Sequence, residues 1–160
     1  MAATDLDDLN NFEFHFETAA VTFLNADVGI DIFRTVIEDN FVAPRIEVQL
    51  FVEDAIDPFA PRNGGASSAT VDYRAFNSTF SARLVTDNST GGSADHATYR
   101  SKIRTSLMRS ATNWDSTSLE YYDVKFLRPA ATEYETDGDM NVTQLTYQII
   151  WEIRDDAWPA

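Results

Sequence analysis

The chain has 160 residues, 44% of them hydrophobic, with eleven Phe, six Tyr and three Trp, which is enough apolar material for one folded domain and excludes wholesale disorder. Cysteine is absent, so disulfides, thiolate metal ligands and cysteine nucleophiles are excluded. Twenty-six acids against twelve Lys and Arg leave a formal charge of -14; residues 1–60 alone hold thirteen acids against Arg34 and Arg45, and such a field repels phosphate and disfavours nucleic-acid binding.

The opening MAATDLDDLNN has neither the basic nor the apolar segment of a secretory signal, and no apolar run nears the roughly 18 residues of a membrane span. Synthesis in the cytosol and no membrane contact are therefore expected, and the sequons at Asn77, Asn88 and Asn141 carry little weight. In FEFHFETAAVTFLN, Phe12, Phe16, Ala19, Ala20 and Phe23 recur at helical spacing, predicting a helix that ends near Asn25 with Glu13 and Glu17 on its other face. VGIDIFRTV alternates Val28, Ile30 and Ile32 against its neighbours and reads as a strand. RIEVQLFV does the same with Ile46, Val48, Leu50 and Val52, behind Pro44 at a position where a strand tolerates proline.

A long turn-rich loop follows, residues 54–68 (DAIDPFAPRNGGASS), with two prolines and a glycine pair. Between Val71 and Val85 the apolar positions change parity, Val71 and Tyr73 against Phe76, Phe80 and Leu84, which predicts a bulge near Ala75 or two consecutive strands. DNSTGGS then leads to Ser93 as an N-cap, with Asp95 in the first turn of a second helix. His96, Tyr99, Ile103 and Leu107 form one stripe of that helix, with His96 expected to complete it through one hydrogen bond, while Arg100, Lys102, Arg104 and Arg109 project elsewhere. LEYYDVKFL and NVTQLTYQIIWEIR close the chain as strands joined by an acidic hairpin connection at residues 132–140; in the second, Leu145, Tyr147, Ile149, Trp151 and Ile153 share a face. The predicted whole is a single domain, residues 1–160, of the α+β class in the order α-β-β-β-α-β-β: about five strands in a mixed, largely antiparallel sheet.

Catalytic patterns fail one by one. Asp95 and His96 are adjacent on a helix start and point apart, and no G-x-S-x-G elbow supplies a nucleophile, so no catalytic residue is assigned. Asp137, Asp139 and Asn141 mimic the start of a calcium loop, but Val142 stands where its glycine belongs and Gln148 where its glutamate belongs. That leaves no metal site beyond a casual cation contact between Glu133 and Asp139, and no cofactor. Trp114 and Trp158, outside the clear strand faces, are the candidate sugar-binding aromatics. The cations of the second helix, set against an acidic first third, suit contacts between copies of the chain in a head-to-tail ring.

FETAAVTFLN, APRIEVQLF, DHATYRSKIRTSL and the closing LTYQIIWEIRDDAWPA together resemble the tail terminator and neck proteins (head-tail joining, tail completion) of tailed bacteriophages. The resemblance covers most of the chain in element order. It implies two helices packed on the sheet and a non-enzymatic virion subunit, assembled as a homohexameric ring between tail and head. The implied partners are further copies of the chain, the tail tube protein and possibly the sheath, and the head-tail connector or stopper, with genomic DNA passing the lumen unbound. Arg100, Lys102, Arg104 and Arg109 would then contact a neighbouring subunit or ring. Pro58, Phe59, Pro61 and Arg62 would dock a partner, and Trp158 and Pro159 would make a C-terminal contact. The alternatives are another neck or baseplate component, or a carbohydrate-binding host-attachment module.

Overall fold

A computed structural model of the chain describes residues 12–34, 43–55, 75–87, 92–108 and 119–157. Helix α1 (Phe12–Asp27) is followed by strands β1 (Asp31–Phe33), β2 (Arg45–Ala55) and β3 (Ala75–Asp87). Helix α2 (Gly92–Leu107), strands β4 (Tyr122–Asp137) and β5 (Met140–Ile153), and a short 3-10 turn at Asp155–Ala157 complete the order. The strands form one sheet in the order β1-β2-β3-β5-β4. Among the described residues only the β1–β2 pair is parallel; the other three pairs are antiparallel. The α+β class, the element order and the mixed, largely antiparallel sheet match the reading of the sequence.

Both helices lie on one face of the sheet because every element offers one apolar stripe. Phe12, Phe16, Ala19, Ala20 and Leu24 of α1 are buried, as are Ile103 and Leu107 of α2. They meet Ile46, Val48 and Leu50 of β2, Phe80, Ala82 and Leu84 of β3, and Leu145, Tyr147, Ile149 and Trp151 of β5 in one core. The period of two along each strand delivers these residues to a single face. At one end of the core, Phe12 stacks on Trp151 with ring centroids 3.8 Å apart, and Tyr122 meets both rings edge-on. The Trp151 indole N–H donates to Ser78 Oγ at 2.8 Å, so this bulky ring is buried without an orphaned donor.

Two glycines hold left-handed turns. Gly29 (φ 75°) follows the end of α1, and its N–H, like that of Val28, is directed at the Leu24 carbonyl, a C-terminal cap that a side chain would strain. Gly138 (φ 58°) takes the first central position of the two-residue turn between β4 and β5, where Asp137 pairs with Met140.

Several expectations need correction. The acidic segment 132–140 is not a hairpin connection. Its residues through Asp137 extend β4, and the connection shrinks to Gly138-Asp139. Glutamate and threonine look like loop in the sequence, but β4 is the outer strand of the sheet, and edge strands carry charge as a matter of course. Described irregularities in strand pairing fall in β2 between Val52 and Ala55 and in β4 on either side of Phe126–Pro129, whereas β3 pairs with β5 without a break from Ala75 onward. The apolar parity change ahead of it, at Val71 and Tyr73, lies outside the described residues. Helix α2 begins at Gly92, which places Ser93 inside the helix and not at its cap. Glu17 is half-buried, and its Oε1 accepts the Leu50 N–H at 3.0 Å, strapping α1 to β2 beyond the last residue that β1 covers.

Candidate functional site

The polar end of the core is where the stripes run out. Along β3 the inward series passes from Leu84 to Thr86, and along β5, in the opposite direction, from Leu145 to Thr143; both threonines are buried. His96, at the start of the apolar stripe of α2, fits between them. Its Nδ1 lies 2.6 Å from Thr86 Oγ1 and its Nε2 2.6 Å from Thr143 Oγ1. A neutral imidazole offers one donor and one acceptor, and a hydroxyl can serve either, so both bonds are satisfied without charge. Burial first, and the Arg100 guanidinium second, push the His96 pKa below its ordinary 6.5, which favours that neutral form. His96 is thus held by two strands, not by the single hydrogen bond expected of it.

Tyr134, on β4 opposite Thr143, sets its ring edge-on to His96 at 5.6 Å and donates its hydroxyl to Asn141 Oδ1 at 2.9 Å. The other side of the ring is in solvent. A half-open cleft of about 290 Å³ lies here, lined by His96, Ala97, Arg100 and Tyr134. Its charged member is Arg100, whose Nε is buried and has no hydrogen-bond partner among the described residues. One turn further along α2, Arg104 is exposed and reaches Thr132 Oγ1 of β4 at 3.5 Å. The two arginines therefore line the groove between α2 and β4, four residues apart on one side of the helix.

The cations grouped by the sequence are thereby split. Arg100 belongs to the cleft and is not part of a freely exposed face. Arg104 borders the groove, and Lys102 projects from the helix with its ammonium 6.0 Å above the Tyr99 ring. Arg109 lies outside the described residues, as do Pro58, Phe59, Pro61, Arg62, Trp114, Trp158 and Pro159. Thr86, Tyr134, Asn141 and Thr143 were missed as site residues. What the sequence did hold was faint: Asn141 and Thr143 stand in phase with the apolar series of β5, and Thr86 with that of β3.

A second polar cluster occupies the opposite face of the sheet. Glu47 sits between Arg45 (Nε–Oε1 2.9 Å) and Arg83 (Nη1–Oε2 2.8 Å), with Glu47 and Arg45 buried. Each carboxylate oxygen has its own guanidinium, an arrangement that specifies β2–β3 register more than it rewards burial. Among the described residues no group of three or more His, Asp or Glu is placed to hold a metal ion, and no helix is long and apolar enough to cross a membrane.

No protein-family model and no curated protein matches the chain. Solved structures do resemble it in fold. One, a chain from the virion of a native gene transfer agent particle, superposes with a TM-score of 0.59 at 15% identity, covering 85% of this chain and 93% of that one. Another superposes with a TM-score of 0.54 at 11% identity, covering 99% and 100% of the two chains. The likeness is one of architecture along nearly the full length of each partner.

Proposed function

We propose that the chain is a structural subunit of a phage-like virion, and within that class a ring-forming tail terminator or neck component. The observation that supports the coarser reading most is the fold shared, over 93% of its length, with a chain of a gene transfer agent virion. The finer reading rests on the sequence resemblance and on charge. A cyclic ring needs two different surfaces that complement each other, and the groove cations Arg100 and Arg104 with Lys102 supply one against a chain whose net charge is -14. In this reading no bond is made or broken: six copies close on themselves, one face of the ring caps the tail tube, and the other presents a surface to the head connector. An acidic lumen lets DNA pass without adhering.

The test is the mass of the purified chain by light scattering, followed by negative-stain imaging alone and with tail tube protein. Six-fold rings, free or on tube ends, are the expected result. A single-chain mass under all conditions, with bare tube ends, would overturn the ring.

A further inference from the structure

We propose that the cleft between α2 and β4 is a receptor for a carboxylate side chain, an aspartate or glutamate, of a second copy of this chain. The inference rests on the ring reading and gives its contact an address. Arg100 Nε is an N–H donor taken out of water with no acceptor among the described residues, a loss that folded proteins rarely leave uncompensated. The side chain lines an open cleft, so an acceptor from outside reaches Nε once the guanidinium turns toward the opening. The Nε–Nη edge of a guanidinium matches the two oxygens of a carboxylate, giving two parallel charge-assisted hydrogen bonds. The neighbouring walls agree with that ligand: the Ala97 methyl leaves room, the half-exposed Tyr134 ring covers the aliphatic stem, and His96 spends both ring nitrogens on Thr86 and Thr143 and so does not compete. A second copy is the natural source, because each brings twenty-six acids against twelve Lys and Arg. Arg104, beside the same groove, adds attraction without closing the cleft.

The experiment uses the full chain carrying Arg100→Lys, which keeps the charge and puts an amine in place of the fork. Equal amounts of nitrogen-15-labelled and unlabelled chains are mixed and treated with a carbodiimide, which joins amines to carboxylates in contact, and the peptides are mapped by mass spectrometry. The expected result is mixed-isotope cross-links from position 100 to an Asp or Glu, several-fold more abundant than those from Lys102. A second variant, Ala97→Glu, places a carboxylate three residues before Arg100 on the same helix and should fill the cleft from within. Its fold should be retained and its self-association weakened about tenfold. Rings that form without cross-links from position 100, or that tolerate Ala97→Glu unchanged, would overturn the cleft assignment and leave the ring standing. A chain that stays single in light scattering and ignores tube ends would overturn both.

Discussion

Glu47 and Arg83 face each other directly across β2 and β3, joined at 2.8 Å on the sheet face turned away from the helices, and the glutamate is only 2% exposed. Arg45 closes the other carboxylate oxygen. Removing the shared anion takes a counter-charge from a buried guanidinium, the costly way to break such a group. Glu47→Ala is therefore expected to lose about 3–5 kcal/mol. The check is a urea titration in which the midpoint falls and the slope does not change. A loss below about 1 kcal/mol would mean that the cluster is solvated, as ordinary surface pairs are.

The clamp on His96 makes stability depend on pH. Its folded pKa is depressed, so between the folded value and the ordinary 6.5 the unfolded chain binds the proton and the folded chain does not. Its contribution is complete above 6.5 and is lost as pH falls through the folded value. His96→Gln should flatten that part of the stability curve, measured by urea unfolding from about pH 7.5 down to about pH 5. Thr143→Val, nearly isosteric, strands one ring nitrogen and should cost about 1–3 kcal/mol at neutral pH.

Glu17 carries the opposite sign. Burial, with repulsion from Glu13, raises its pKa above 4.5 despite the Leu50 N–H and the Arg34 guanidinium. The folded chain therefore holds that proton longer, and stability is lost as pH rises from 4.5 through the raised value. Glu17→Gln keeps an oxygen for the Leu50 N–H and never ionises. It should be at least as stable as the parent at about pH 7, with the difference gone near pH 4; a variant clearly weaker at pH 7 but not near pH 4 would assign the role to charge.

Phe12 anchors the first turn of α1 on Trp151 and Tyr122. Truncation to alanine removes a fully packed ring and should cost about 3–5 kcal/mol. Calorimetry would show this as a lower melting temperature with a single transition. An unchanged melt would mean that α1 does not belong to the cooperative unit.

Arg104→Glu reverses a charge on the exposed rim of the groove. Folding, followed by circular dichroism and melting temperature, should be unaffected within about 0.5 kcal/mol, while ring assembly is lost. Intact rings would remove Arg104 from the interface.

What the sequence made legible was periodicity. The stripe His96, Tyr99, Ile103, Leu107 and the alternation from Leu145 to Ile153 were readable because each repeats its apolar signal several times within one element. The polar site was not readable, because its members come from three strands and a helix: Thr86 and Thr143 stand 10 and 47 residues from His96 and carry no local mark. Arg100 could not be told from its neighbours for a related reason. Four cations in one window read as one set of contacts between copies of the chain, and only the proximity of β4 separates the one whose Nε is buried from its exposed neighbours Lys102 and Arg104. The extension of β4 through 132–137 was hidden by composition, since residues unsuited to a sheet interior are suited to its rim.

That rim bears on how the chain avoids adding strand to strand. β4 offers sixteen residues of outer strand, a template on which another copy could polymerise into a fibre. Pro129 interrupts the row of donors, and Glu133 and Glu135, both exposed, would meet their own counterparts in an in-register parallel pairing of two such edges. The same acidity that looks idle on a diagram of the hairpin acts as a guard. It penalises growth along the strand, so that the longest open edge of the sheet is also the one least suited to recruit a further strand.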